Sequence, residues 1–411
     1  MTVGGQGLPR LQELAYLETI ARAVAADLPF EKIRLALVDH IWGVRQTTPG
    51  DPPDPAEYRA WRGDEKKYVR NVTDAIKELM RLGFVDAAML PSSGTSAYAH
   101  KDSTYKTTAA GRDWVALLET DRRAAYDDLL PRLVLAHPGF TCFLTTVGAI
   151  GDGRDSFVVP LLRWGELPDR LRSQQAYRFA IGDYVAGALA STDLGWSANA
   201  TEITESLNGY LDRILARAQA RGKDPFPTVR TFTQTCEEAL VRLAFRKADC
   251  AIDYVSMEIA RRWSRWLGLA SFTYHAPGHN ALRFWSTARI EFTHRGAMNV
   301  ERRAGGEWRN RALDALYEHC QQARSSGTTY IPVWEVRAAV CWKLRIVDDE
   351  FDRAVTDMIA GRRGEQLPWR IHLDQVSVGN IPSSAAPFVL TTSAAGTRAY
   401  NVMTVVPKHT N

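Results

Sequence analysis

The sequence predicts a mainly α-helical protein with small β-hairpins, which is an α+β fold. Apolar residues recur every three to four positions in several long segments, as in amphipathic helices. A pattern of helix, short turn, second helix and two strands joined by a polar loop occurs three times, without sequence identity between the copies. Segments rich in proline and glycine separate the copies from each other and from a helical middle segment.

The first copy contains the clearest helix signals. Residues 30–42 are predicted as a helix because Ile33 and Leu37 fall on one face. A proline-rich loop follows at 47–55, and Gly83 ends the next predicted helix. The copy is completed by a helix at 64–82, strands at 84–90 and 103–107, a polar loop at 91–102 and a helix at 112–118.

The other two copies follow the same order of elements. In the second, the aromatic and β-branched residues of 284–290 are typical of a strand. In the third, Asp348 is the expected N-cap of a helix, because its carboxylate can accept hydrogen bonds from free backbone N–H groups. The predicted elements are helices at 230–245 and 256–267 with strands at 269–274 and 281–292, then helices at 333–341 and 348–360, a hairpin of strands at 369–373 and 388–391, and a final strand at 400–406.

The middle of the chain is harder to interpret. Residues 156–161 are predicted as a strand, and 169–190 and 202–221 as helices. Glycine-rich breaks at 148–153 and 222–227 bound this segment. The sequence therefore predicts an N-terminal domain at 1–125, a helical connector or dimerisation region at 126–225, a central domain at 226–323 and a C-terminal domain at 324–411.

Composition restricts the class of protein. A chain of 411 residues with 45% hydrophobic and 24% charged residues is typical of a soluble globular protein. No apolar run approaches the roughly 18 residues of a membrane span, and residues 1–9 lack the features of a secretory signal. The five cysteines are widely spaced and form no Cys-x-x-Cys pair, which suits buried thiols in a reducing cytoplasm. We therefore expect a cytoplasmic protein with no membrane partner.

Charge alone decides little about function. The net charge of +4 hardly favours nucleic acid over other partners. Arginine outnumbers lysine, and its planar fork can bind phosphate or guanine through two hydrogen bonds. A genome rich in GC would produce the same composition, so the positions of the arginines matter more than their number.

Two short motifs carry a family resemblance. Residues 81–85 (RLGFV) stand at a predicted helix end, and residues 105–111 (YKTTAAG) follow the polar loop. This segment, over about 28–119, resembles bacterial winged-helix proteins, in which a recognition helix and a glycine-terminated turn precede a hairpin that leads into a Thr-x-x-Gly helix start. The resemblance implies tandem winged helix-turn-helix domains, joined by the helical middle segment.

A recognition helix enters the DNA major groove, where base edges can be distinguished, while flanking groups bind phosphates. In the first copy Asn71 would read adenine, and cations beside it would bind the DNA backbone. A solvated helix face is the open alternative, because four carboxylates share the segment. The candidate DNA-binding residues are Lys66, Lys67, Arg70 and Asn71 at the helix start, with His100 and Lys101 at the tip of the loop.

The later copies offer further basic candidates. Trp263 and Trp266 are expected in the core, which would leave the arginines between them facing outward. The densest basic cluster follows the second copy and is the best single candidate for phosphate contact, with a solvated loop as the alternative. The candidates are Arg261, Arg262 and Arg265 on the helix, and Arg302, Arg303, Arg309 and Arg311 in the cluster.

Catalytic signatures are missing from the sequence. It contains no phosphate-binding P-loop, no Gly-x-Ser-x-Gly nucleophile elbow and no His-Glu-x-x-His metal motif. His275 and His279 are predicted to lie on a polar turn. A zinc site formed by these two histidines with Cys250 before them and His294 after them is a minor alternative. We expect no catalytic residue, no metal and no cofactor.

The expected function is sequence-specific or structure-directed binding of double-stranded DNA, as a transcription regulator, a replication initiator or the DNA-binding subunit of an antiviral defence complex. A homodimer or a partner subunit is compatible with each of these roles. Two alternatives stay open: a protein-interaction scaffold, for which the 12 tryptophans would supply contact surface, and a nuclease subunit with an unrecognised metal site.

Overall fold

In a computed structural model of the protein, the fold is mainly helical with a few small antiparallel sheets. The predicted α+β class is therefore confirmed. The residues described are 8–9, 11, 13–47, 54–86, 103–151, 156–160, 199–223, 229–273, 281–292, 298–304, 307–325, 330–360, 369–375, 388–392 and 396–407.

The helices are numbered here in chain order over the described residues. They are α1 (Leu14–Ala25), α2 (Phe30–Thr47), α3 (Pro55–Gly63), α4 (Val69–Arg81), α5 (Ala109–Thr120), α6 (Arg122–Ala136), α7 (Pro138–Thr146), α8 (Ala200–Gln219), α9 (Val229–Lys247), α10 (Tyr254–Trp266), α11 (Trp308–Ser325), α12 (Val333–Leu344) and α13 (Asp348–Ile359).

The strands are short and pair antiparallel. They are β1 (Ser156–Pro160), β2 (Ala270–Thr273), β3 (Ala281–Ser286), β4 (Ala288–Phe292), β5 (Met298–Arg302), β6 (Ile331–Pro332), β7 (Trp369–Asp374), β8 (Phe388–Thr392), β9 (Gly396–Tyr400) and β10 (Val402–Pro407).

The first copy differs from its prediction at the start of its second helix. Residues 64–82 do not form one helix, because α3 ends at Gly63 and α4 begins only at Val69, after Tyr68 in the left-handed conformation with φ +62°. The returning strand makes one bridge, between Val85 and Thr107. The predicted strand beyond residue 86 and the whole polar loop at 91–102 lie outside the described residues.

The second copy forms a sheet in which β3 lies between β1 and β2. Ser156 of β1 stands opposite Trp285, so the strand predicted in the middle segment joins the hairpin of this copy. The single strand predicted at 281–292 is broken at Thr287, because the Thr287 N–H and hydroxyl bind the carbonyls of Leu269 and Gly268 and turn the chain away. The helix predicted at 169–190 lies outside the described residues.

The third copy has the same sheet order, with β10 between β6 and β7. Pairing of the strands at 369–373 and 388–391 was predicted, and this prediction is wrong. β7 pairs with β10, with Asp374 opposite Val402, whereas β8 pairs with β9. Because few residues separate β8 from β9, they close a local hairpin and leave β7 to the next strand. Asp348 was predicted as the N-cap of this helix, but it is the first residue of α13, and the N-cap is Val347.

Glycines end three of the helices in the same way. Gly83 after α4, Gly148 after α7 and Gly268 after α10 have φ of +79°, +79° and +65°. In each, the N–H of the residue after the glycine binds the carbonyl five positions back, at 2.8 Å. Only a residue without a side chain adopts this conformation at low cost, and the chain passes directly from each glycine into a bridge or a strand.

Two of these ends share a further contact. The Thr108 hydroxyl donates to the carbonyl of Gly83 at 2.7 Å, and the Thr287 hydroxyl donates to that of Gly268 at 2.8 Å. Each threonine follows the returning strand of its own copy. The first two copies therefore share this contact, although their sequences differ.

Over the residues that the structure describes, the buried hydrophobic side chains form two clusters. The first runs from Leu8 to Ile290 and the second from Trp285 to Val405. The first takes in residues from three of the four segments predicted as domains, so these segments share one core. The predicted linker at 148–153 begins inside it, because Ala149 is fully buried.

The cysteines depart from expectation. Cys142 and Cys250 are joined by a disulfide bond that links α7 to the turn before α10, whereas Cys236, Cys320 and Cys341 are buried thiols, as predicted. The pair is 108 residues apart in sequence, so its pairing depends on the fold. Among the helices described, none is long and apolar enough to cross a membrane.

The close approach of α5 to the end of α4 gives a first prediction. A Cβ added at Gly111 would lie 2.1 Å from the Phe84 carbonyl oxygen, so Gly111→Ala should lower the free energy of unfolding by about 3 kcal/mol. Gly43, inside α2, has open space around it, and Gly43→Ala should raise stability by about 0.5–1 kcal/mol. Urea unfolding followed by circular dichroism measures both, and equal midpoints would show the approach to be unimportant.

Candidate nucleic-acid interface

A buried arginine fixes the turn between α3 and α4. Arg34 of α2 is fully buried and forms two hydrogen bonds with the carboxylate of Glu31, at 2.5 and 2.8 Å. Its other N–H groups donate to the carbonyls of Arg62 and Asp64 at 3.0 Å and of Lys67 at 3.5 Å. Hydrogen bonding to Glu31 raises the pKa of the guanidinium, so it stays charged at the carbonyl end of α3.

Aromatic side chains hold the other side of the turn. The Lys67 ammonium lies 4.5 Å from the centre of the Trp61 ring and 5.2 Å from that of Tyr68. The two rings meet edge to face at 5.7 Å. Tyr68 is bulky for a left-handed conformation, and this packing stabilises it there. Lys67 is thus committed to the rings in part, while burial raises the pKa of Tyr68.

The start of α4 carries exposed positive charge. Lys66 is exposed, and Arg70 is 70% exposed with only a loose ion pair to Asp74 at 3.7 Å. Asn71 is half-buried. The first turn of α4 contains no acidic residue, and its N-cap residue, Tyr68, makes no capping hydrogen bond through its side chain. The positive end of this helix therefore has no carboxylate of its own helix on it, and Lys66 and Arg70 lie beside it, while the exposed carboxylates of Asp64 and Glu65 stand in the turn before.

We name Lys66, Lys67 and Arg70 the α4 basic edge; Lys66 and Arg70 are exposed, whereas Lys67 is half-buried against the rings. Near the other end of α4, the Nε2 of His137 lies 2.5 Å from a carboxylate oxygen of Glu78, and both groups are buried. His100 and Lys101, predicted at the tip of the loop, lie outside the described residues.

Arg261 of α10 was expected to face outward, and this expectation is wrong. Its side chain is buried, pairs with Glu258 at 2.5 Å and lies 3.8 Å from the centre of the Phe272 ring. Met257, Arg261 and Ser264 are spaced as one face of the helix, and all three are buried. Trp263 is buried as predicted.

The other arginines of α10 are covered by carboxylates. Arg262 pairs with Glu13 at 2.6 Å, and Arg265 pairs with Asp349 of α13 at 2.9 Å. The segment before α1 lies along the same helix, because the Trp263 indole N–H donates to the Leu11 carbonyl at 2.9 Å. The second helix of this copy is therefore occupied by contacts within the chain.

The predicted phosphate cluster is used mainly for structure. Arg302 donates to the carbonyls of Leu267, at 3.2 Å, and Gly268. Arg303 donates to the carbonyl of Gly148 at 3.1 Å, Arg311 donates to that of Ala304, and the guanidinium of Arg309 lies 5.2 Å from the centre of the Trp308 ring. Three of these four side chains cap helix ends or loops, which explains their clustering without a ligand.

Four exposed arginines were not among the residues predicted from the sequence to bind DNA. They form two pairs spaced by four residues on consecutive helices, a pattern that could have revealed them, because such residues share a helix face. Within the described ranges none of them has a carboxylate partner within ion-pair distance. They are Arg213 and Arg217 of α8, and Arg242 and Arg246 of α9.

Comparisons of the chain with profiles of known protein families, with curated proteins and with solved structures found no match. In the part of the chain that the structure describes, no group of three or more His, Cys, Asp or Glu residues is arranged to hold a metal ion. His275, His279 and His294, named above for a zinc site, lie outside that part, and Cys250 is in the disulfide.

The role of Arg34 gives a second prediction. Arg34→Met would leave Glu31 and several carbonyls without their partner, so the free energy of unfolding should fall by about 3 kcal/mol. The control is Arg22→Gln, which removes an exposed ion pair with Glu119 and should cost less than about 1 kcal/mol. Urea unfolding measures both changes, and an Arg34→Met midpoint equal to that of the control would contradict the role assigned to Arg34.

Proposed function

We propose that the protein binds double-stranded DNA through the α4 basic edge of its first winged-helix unit. The observation that carries this proposal is the exposed, uncapped start of α4, with Lys66 and Arg70 beside it and the turn before it pinned by Arg34. A rigid turn presents these charges in one arrangement, and this lowers the entropy cost of binding phosphates. Asn71, one residue beyond Arg70, is the candidate for base contact.

Topology supports the winged-helix interpretation. In the second and third copies, two helices are followed by strands, and a strand from before the helices pairs with the last strand of the sheet, in the orders β1–β3–β2 and β6–β10–β7. In the first copy, the Phe30 N–H donates to the Ser103 carbonyl at 2.8 Å, and Val85 bridges Thr107. In all three copies, therefore, the chain at or before the start of the first helix contacts the returning strand or the residues leading into it, and that strand pairs with the one that follows the second helix.

The three units do not contribute equally to this proposal. α10 is covered, and α13 begins with Asp348, Asp349 and Glu350, whose charges would repel a phosphate backbone. Among the second helices of the three units, which the structure describes in full, only α4 combines a start without an acidic first turn with exposed cations in or just before that turn. The cellular role that we propose is that of a regulator, a replication initiator or a DNA-binding subunit of a defence complex.

A second candidate function, an interaction scaffold, is favoured by the contacts between the later units. Arg265 binds Asp348 and Asp349, and the Trp285 indole N–H donates to the Ile346 carbonyl at 3.3 Å. The second and third units thus already bind each other through these contacts. Retained partner binding by a variant that has lost DNA binding would support this candidate.

The DNA proposal is tested by Lys66→Gln/Arg70→Gln. Removing two phosphate contacts should weaken binding to unrelated duplexes to a similar extent. The slope of log affinity against log salt should also become shallower by roughly 2. Fluorescence anisotropy with duplexes of about 30 base pairs, over a series of NaCl concentrations, measures both quantities.

The matched control is Arg221→Gln/Lys223→Gln, which removes one exposed arginine and one exposed lysine just after α8. Its salt slope should equal that of the unchanged protein. Equal losses in the two variants would assign binding to overall charge and reject the α4 basic edge. If the unchanged protein binds no duplex even at low salt, the proposed function is wrong.

A further inference from the structure

A second basic feature lies between α8 and α9. It is a cleft of about 460 Å³ that is lined on both helices by arginines: Arg213 and Arg217 on one wall, and Arg242 and Arg246 on the other. All four side chains are exposed at the surface. We name it the α8–α9 cleft.

The spacing within each pair places the charges close together. Residues four apart on a helix are neighbours, at about 5–6 Å between Cβ atoms. Tyr210 lies between the helices, with Arg213 at 5.8 Å and Arg242 at 5.7 Å from the centre of its ring, and its hydroxyl donates to Glu238 at 3.3 Å. The ring thus holds one arginine from each helix at the cleft wall.

The charge of these arginines is balanced only in part, by the carboxylate of Glu238, which interacts with Arg242 four residues later on α9. Among the described residues, none of the four forms an ion pair, in contrast to Arg262 and Arg265 of the neighbouring helix α10. Asp253 lines the cleft, but its carboxylate caps α10 by accepting from the Ser256 N–H at 2.7 Å. Several like charges in one concave site repel each other, and a bound polyanion would relieve that repulsion.

The shape of the site favours a small ligand. A volume of about 460 Å³ is within the range of small-molecule sites, and Ile214, Ala239 and Ile252 add an apolar part to the lining. Guanidinium groups bind phosphate oxygens through paired hydrogen bonds. A DNA duplex is too wide to enter such a cleft and would touch only its rim.

We propose that the α8–α9 cleft binds a small molecule with two or more adjacent phosphate groups, of the class of nucleoside diphosphates and triphosphates. The arginines of both walls hold the phosphates, and the apolar part of the lining receives the organic group. This site is independent of DNA binding at α4, because it shares no residue with the α4 basic edge.

The test is calorimetric titration of the full chain with ATP, inorganic triphosphate and adenosine, without divalent metal. ATP and triphosphate should bind, and adenosine should bind at least a hundredfold more weakly than ATP. Arg217→Gln/Arg246→Gln leaves the Tyr210 contacts in place and should weaken ATP binding at least tenfold. Arg221→Gln/Lys223→Gln removes the same charge just beyond the end of α8, and should change ATP affinity less than twofold.

Several results would overturn the proposal. The first is that neither ATP nor triphosphate binds at millimolar concentration. The second is that the cleft variant and its control lose ATP affinity equally, and the third is that adenosine binds as tightly as ATP. A short duplex serves as competitor: if it displaces ATP and the cleft variant loses duplex binding to the same degree, the phosphates come from nucleic acid and the small-molecule assignment is wrong. If Arg217→Gln/Arg246→Gln unfolds, Arg217→Lys/Arg246→Lys keeps the charge but loses the paired donors, and should still weaken ATP binding severalfold.

Discussion

The fold depends on arginine side chains that donate hydrogen bonds to the backbone carbonyls at the ends of helices. The last carbonyls of a helix have no partner within it, and they carry the negative end of the helix dipole. A guanidinium can satisfy several of them and balance their charge at the same time. Arg34 does so after α3, Arg132 at the end of α4 and Arg302 at the end of α10, and each of these ends leads straight into the turn or strand that the next element is built on.

This use of arginine changes what a basic cluster in the sequence means. A guanidinium that donates to carbonyls has given up the N–H groups that would bind phosphate, and breaking those bonds would leave buried acceptors unpaired. Arg302 and Arg303 are adjacent because two helix ends, those of α10 and α7, meet there. The cations that can bind a ligand are therefore identified by their exposure and by the absence of carbonyl or carboxylate partners. The number of basic residues in a short stretch of sequence does not identify them. In the described part of the chain, the α4 basic edge and the walls of the α8–α9 cleft are two places where such cations lie close together.

Local signals in the sequence predicted local structure well. The end of α4 at Gly83, the helices α9 and α10 and the strand β1 follow from apolar spacing, glycine positions and β-branched residues, which act over a few residues. What failed depends on contacts distant in sequence: the pairing of β7 with β10, the disulfide of Cys142 and the burial of Arg261 against Phe272. The α8–α9 cleft was missed for the same reason, because each arginine pair alone resembles a solvated helix face.

The start of α4 shows how stability and binding compete at one place. An acidic residue in the first turn stabilises a helix through its dipole, as Asp348 and Asp349 do in α13, but it also repels phosphates. α4 has no such residue, and Tyr68 before it adopts a backbone conformation that is costly for a bulky side chain. Its start must therefore be held by contacts from outside the helix, which are those of Arg34 and the aromatic rings. A helix start that is stabilised from behind in this way keeps its positive end free, and that is the condition an anion-binding helix has to meet.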